Sequence, residues 1–166
     1  KYAEYVKNIL LQYAKLYPTL EKHPAATSNS YGRLFWQSLN ETVWLIYAIQ
    51  AYDCIYNYLS ESERTIIETN LFRKMADFFL NEHSHTFNLA HNHGTWMAAA
   101  VGMTGFVIND YEYVEKSIYG SNKDGNGGFL YQLDNLFSPD GFYTEGAYYH
   151  RYAIQPFFIF AESIHN

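Results

Sequence analysis

Three stretches of this 166-residue chain, 36–58, 93–107 and 145–165, are apolar nearly all the way round a helix. A helix with no wet face has to be covered on most sides. Between them lie helices that keep a charged face, at 2–17, 61–80 and 110–119. Alternating wet and dry helices suit an α/α toroid of antiparallel pairs, whose outer ring covers its inner ring. A plain bundle would make most of its helices amphipathic. The pattern predicts an all-α fold, an incomplete α/α toroid, in a single helical domain spanning 1–166. No sequence repeat accompanies the alternation, so a solenoid is the alternative.

Local signals set the boundaries. In the first helix Tyr2, Tyr5, Val6, Ile9, Leu10, Tyr13, Leu16 and Tyr17 form one stripe, ended by Pro18. A long aperiodic loop follows to Arg33. Within 36–58, Gln37, Asn40 and Glu41 share one face near the start, either as a polar helix end or as a rim facing substrate. Cys54 reads as a small core residue, and as the only cysteine it excludes a disulfide framework. Ser60 and Glu63 have the spacing of a capping box, opening a helix with Ile66, Ile67, Leu71, Met75, Phe78 and Phe79 inward. Asn92 is placed to cap the helix that follows His93.

The charge balance excludes one class of partner. A net charge of −6 without a basic stripe argues against nucleic acid. An anionic ligand would have to be met by a few local donors, for which Arg151, Arg33 and the histidines are the candidates. The 17 tyrosines offer flat faces with polar tips, suited to sugar stacking. No apolar run reaches transmembrane length and no signal-peptide pattern occurs in these residues. The chain begins and ends inside helical patterns, which leads us to expect a piece of a longer protein.

Two stretches concentrate polar chemistry. One is His91-Asn92-His93-Gly94 at the mouth of a dry helix, and the other is Tyr148-Tyr149-His150-Arg151-Tyr152 at the opening of the last. His83, His85, His91 and His93 make two H-x-H pairs, but without a nearby Cys or a helical HExxH that spacing is weak evidence, and no metal site is expected. Glu145, Asp140, Asp134 and Glu41 could supply a carboxylate pair, which keeps a glycoside hydrolase open. A non-catalytic carbohydrate-binding domain is the third reading.

The strings Arg33-Leu34-Phe35-Trp36-Gln37-Ser38-Leu39-Asn40-Glu41, His91-Asn92-His93-Gly94-Thr95-Trp96 and Ser138-Pro139-Asp140-Gly141-Phe142-Tyr143-Thr144-Glu145-Gly146, leading into Tyr148-Tyr149-His150-Arg151-Tyr152, resemble the toroid domain of oligoalginate lyases. These are exo-acting polysaccharide lyases of the alginate and heparinase II/III-like group. The resemblance implies β-elimination on a polyuronate, with no cofactor. It makes Asn92 and His93 the neutralisers of the uronate carboxylate and Tyr149 the proton-transfer residue, with Tyr152, Arg151, Tyr148, Gln37 and Asn40 as substrate contacts. Ala147 and His150 stand where relatives are expected to carry Pro and Gln, which leaves the choice between Tyr149 and Tyr148 open. The resemblance also implies a following β-sandwich domain that completes the cleft, and a periplasmic or secreted bacterial enzyme.

Overall fold

The computed structural model describes residues 1–165, which fall into two compact units, Lys1–Phe78 and the residues from Phe79 onward. The fold is all-α. Among the described residues the one β pairing is an isolated antiparallel bridge between Phe137 and Tyr143.

In the first unit, α1 (Tyr2–Leu16) packs on α2 (Ser38–Ile55) and α3 (Glu61–Ile67). The predicted α1 stripe is wider than its partners cover. Leu10, Ala14 and Tyr17 are buried and Tyr13 stacks on Trp44 at 4.7 Å, while Tyr2, Tyr5, Ile9 and Leu16 remain exposed. In α2 the buried line runs through Leu45, Ile49 and Tyr52. Tyr47 and Cys54 face outward, so Cys54 is not the core residue that composition suggests.

The start of α2 is set by a carboxylate. Glu41 is fully buried, and its Oε1 accepts the Tyr17 hydroxyl at 2.8 Å. Its Oε2 accepts the backbone N–H groups of Arg33 (2.6 Å), Leu34 (3.1 Å) and Phe35 (3.5 Å). A Cβ at Gly32 would sit 2.1 Å from Oε2, so the loop can close round the carboxylate only with glycine there. The loop therefore stays bent round the carboxylate through residues 33–37, and α2 begins at Ser38 rather than Trp36. Burial pushes the Glu41 carboxyl up, opposed by the Tyr17 hydroxyl and the three N–H donors. Glu41 is a loop anchor, not part of a substrate-facing rim.

The capping box at α3 forms as predicted, with Ser60 and Glu63 each accepting the other's backbone N–H. A π-helical turn, Glu68–Phe72, joins α3 to α4 (Arg73–Asp77), and a second, Phe78–Glu82, follows. The buried line runs Ile67, Leu71, Met75. Ile66, about 100° round the helix from Ile67, is exposed instead of inward.

In the second unit, α5 (Ser84–Asn88), α7 (Tyr111–Tyr119), α8 (Gly128–Leu136) and α9 (Ala147–His165) surround α6 (Asn92–Val107), which is buried continuously from Gly94 to Gly105. The small residues of α6 allow close approach. The Phe160 ring lies where a Cβ on Gly102 would fall, and α7 crowds Gly105 in the same way. The α6–α9 pairing has a readable direction. Asn92 meets Glu145 just ahead of α9, Trp96 meets Tyr152 with ring centroids 5.0 Å apart, and Gly102 meets Phe160. Partners advance together along both helices, so α6 and α9 run parallel. Unlike α6, α9 buries only one stripe, Ala153, Pro156, Phe157 and Phe160, and leaves Tyr148, Phe158 and Ile164 exposed, so it is not covered on most sides as its apolar composition suggests. The parallel pair beside the wet helix α7 is consistent with an α/α toroid.

Candidate functional site

The site is built on the paired starts of α6 and α9. Helix α6 is capped by His91, whose Nδ1 accepts the His93 N–H at 3.3 Å. Asn92 is therefore the first helical residue and not the cap. Its polar groups are engaged elsewhere, because its backbone N–H donates to Glu145 Oε1 at 2.9 Å and its Nδ2 donates to Oε2 at 2.7 Å. The Tyr143 hydroxyl adds a third donor to Oε1 at 2.6 Å.

Burial alone would raise the Glu145 carboxyl, but the hydrogen bonds from Tyr143 and Asn92 and the nearby His91 prevail and hold it below the usual carboxylate range. An ionised carboxylate only accepts, so the Asn92 atom that faces it has to be the amide nitrogen. The Asn92 amide orientation thus follows from the chemistry of its neighbour. The Tyr143 hydroxyl is pushed well above its ordinary value by burial and by the same carboxylate.

A buried glutamine fixes the approach to α6. Gln132 of α8 donates through Nε2 to the Leu89 carbonyl, while its Oε1 accepts the His91 N–H (3.2 Å) and the Thr95 hydroxyl (3.3 Å). A Cβ at Gly94 would lie 2.4 Å from the Leu89 carbonyl oxygen and 2.6 Å from Gln132 Nε2, so a glycine is needed where the chain doubles against α6. His93, half-buried beside His91 with ring centroids 5.0 Å apart, has its pKa lowered by burial and then by His91, with Glu145 opposing. Near neutral pH it is an uncharged ring with one N–H to donate.

The tyrosine cluster divides between two faces of α9. Tyr152 packs on Trp96, and Tyr149 lies one turn earlier on the same stripe, in the first turn of α9. Tyr149 is 45% exposed, whereas Tyr148 is 90% exposed and shares its outer stripe with the exposed Arg151. His150 turns the other way, against Phe137 (6.0 Å) and Tyr143 (6.2 Å), and holds the 137–146 loop to α9. Gln37 (half-buried) and Asn40 (exposed) belong to the first unit, where the Asn40 N–H donates to the Gln37 carbonyl at 3.2 Å.

Glu145, Tyr143 and Gln132 are the residues that sequence reasoning missed as parts of this site. Glu145 was visible only as a candidate hydrolytic acid, and its chemistry runs against that role. A glycosidase acid has to arrive protonated, yet Glu145 and Asp140 are both held low, Asp140 chiefly by the Ser138 hydroxyl. Glu41 is raised, but both its oxygens are occupied beneath the surface. Among the described residues no three His, Cys, Asp or Glu side chains converge as metal ligands, and no helix is long and apolar enough to cross a membrane.

Comparison with known proteins gives concordant results. The alginate lyase family model matches residues 1–166. An exo-oligoalginate lyase of Saccharophagus degradans is 56% identical over 164 residues, covering 99% of this chain and 22% of that protein. An alginate lyase of Stenotrophomonas maltophilia is 53% identical over 163 residues, covering 98% and 22%. This chain thus spans about a fifth of the length of these relatives. With its whole length matched and more than half its residues identical to both relatives, the chain belongs to the alginate lyase family.

Proposed function

We propose that the protein carrying this chain is a polysaccharide lyase that cleaves alginate or oligoalginate by β-elimination, leaving an unsaturated uronate at the new end. The observation that carries the reading is the Asn92–His93 pair at the mouth of α6, tied through Glu145 to the start of α9, whose first turn bears Tyr149. Family membership and the names of the two relatives point the same way.

Elimination removes the proton on C5 of a uronate, next to its carboxylate. That proton becomes acidic only if the charge gathering on the carboxylate oxygens, as an enolate forms, is met by donors. The Asn92 amide has a second N–H beyond the one given to Glu145, and neutral His93 offers its ring N–H. Tyr149 then works at the other end of the bond change. As phenolate it takes the C5 proton, and the hydroxyl so formed passes that proton to the glycosidic oxygen as its bond to C4 breaks, which restores the phenolate; a positioned acid or base contributes about 10²- to 10⁴-fold. Tyr152, Tyr148, Arg151, Gln37 and Asn40 are proposed as substrate contacts, with Arg151 meeting a carboxylate. The remainder of the protein, including a β-sandwich domain, is proposed to complete the cleft, and its location is proposed to be the periplasm or outside the cell.

The test is the ultraviolet absorbance of the unsaturated product when the full-length protein is given alginate and its oligomers, with product masses read alongside. Saturated products would make it a hydrolase, and binding without turnover would make it a carbohydrate-binding protein.

A further inference from the structure

The carboxylate that ties α6 to α9 is not itself among the groups assigned to the reaction. We propose that Glu145 is a positioning residue that dictates which end of the Asn92 amide faces substrate and sets Asn92 and Tyr149 in one frame. The inference rests on the functional reading of Asn92 given above.

Three observations carry it. First, the two oxygens of Glu145 have different duties. Oε1 is taken by the Asn92 N–H (2.9 Å) and the Tyr143 hydroxyl (2.6 Å), which leaves Oε2 for the Asn92 amide at 2.7 Å. A free asparagine could present either its oxygen or its nitrogen to a ligand, and the two ends are nearly the same size. Facing an acceptor-only carboxylate it has one choice, so its remaining amide N–H points in a fixed direction.

Second, the carboxylate is itself held from behind. Tyr143 is fully buried, stacks on Phe137 at 5.5 Å and touches His150, and the Gly146 N–H closes the turn onto the Tyr143 carbonyl at 2.9 Å. Third, Glu145 stands two residues ahead of α9 and Tyr149 lies in that helix's first turn. The same side chain therefore fixes the donor for the carboxylate and the start of the helix that bears the tyrosine.

Glutamine at 145 would fit the space but reverse the amide. Its Oε1 can keep the two donors on one side, while its NH2 then faces the Asn92 side chain. Asn92 turns over to present its oxygen, and the donor meant for substrate moves away. The expected result is a fall in kcat approaching about 10²-fold, the lower end of what losing one donor to a developing oxyanion costs, with little change in melting temperature.

The experiment is a double-mutant cycle in the full-length enzyme, with kcat, KM and thermal melts for Glu145→Gln, Asn92→Ala and the pair. If Glu145 acts through Asn92, the double variant is no slower than Asn92→Ala alone. Penalties that multiply, or a wild-type kcat in Glu145→Gln, would overturn the proposal. A wild-type kcat in Asn92→Ala would instead overturn the functional reading of Asn92 on which it rests. If Glu145→Gln does not fold, the cycle is run with Glu145→Asp, which keeps the charge but draws the oxygens back by one methylene. The same non-additivity is expected, and multiplying penalties or an unchanged kcat would again overturn the proposal.

Discussion

Replacing Asn92 with aspartate changes one amide nitrogen to oxygen and turns the Asn92–Glu145 contact from attraction to repulsion. At the 2.7 Å that separates Asn92 Nδ2 from Glu145 Oε2, two unit charges repel by about 1.5 kcal/mol at the dielectric of water and about 6 kcal/mol at an effective value of 20. The Glu145 side chain is 24% exposed, so water screens part of this, and a cost of about 1.5–3 kcal/mol is expected. The pair has a way out, because one proton shared between the two carboxyls restores a donor at the position the amide nitrogen held. Each 1.36 kcal/mol corresponds to one pH unit of proton affinity, so the variant should take up that proton roughly one to two units above the ordinary carboxylate range. Asn92→Asp should be destabilised at pH 8 and approach wild-type stability near pH 5, where wild type shows no such gain. Paired thermal melts from pH 8 to pH 5, with lyase rates over the same range, provide the assay. An Asn92→Asp protein as stable as wild type at pH 8, with a parallel pH dependence, would refute the charge reasoning.

Tyr149→Phe should lower kcat by about two to four orders of magnitude with little effect on folding, while Tyr148→Phe, on the outer stripe of α9, keeps most of its kcat; steady-state kinetics in the full-length protein decides, and the opposite result moves the tyrosine assignment by one residue. The His93 pKa is lowered on folding, chiefly by burial, so the unfolded chain binds more protons and stability should fall as pH drops below about 6.5. His93→Gln should flatten that part of the melting profile between pH 7.5 and 5.5. Glu41→Ala leaves the Arg33, Leu34 and Phe35 N–H groups and the Tyr17 hydroxyl without their acceptor, and denaturant unfolding should show a loss of about 3 kcal/mol or more. Glu41→Gln, which retains one accepting oxygen, should cost less.

What could be read from the sequence depended on how far apart the interacting residues lie. The Ser60–Glu63 capping box, the charged-faced helix expected at 110–119 and the dry character of α6 rest on residues a few positions apart, and all appear in the structure. The Asn92 cap failed for a reason of the opposite kind. Its amide is claimed by Glu145, 53 positions away, so the adjacent His91 takes the cap. Glu41 looked like one member of a polar helix face because nothing local reveals that a loop preceding its own helix folds back over it. The π-helical turns and the exposure of Ile66 and Cys54 likewise depend on which faces find partners, not on the period of the apolar residues. The strings that resemble oligoalginate lyases did point to the stretch containing Asn92, His93 and Tyr149. They did not reveal the Glu145–Tyr143 and Gln132 scaffolding beneath it.

Because α6 and α9 run parallel with their starts joined through Glu145, the positive ends of two helix dipoles converge on one place. Each is equivalent to about half an elementary charge, carried by N–H groups that the helix leaves unbonded. This chain carries a net charge of −6, so what it offers an anion at that place is a few local N–H groups, part of whose field the Glu145 carboxylate already balances. Attraction of that kind reaches only about one helical turn, so it acts after a sugar has entered and does little to draw a chain in from solution. Added salt should accordingly affect the capture of long, highly charged polymers more than the turnover of a uronate already seated against the helix ends.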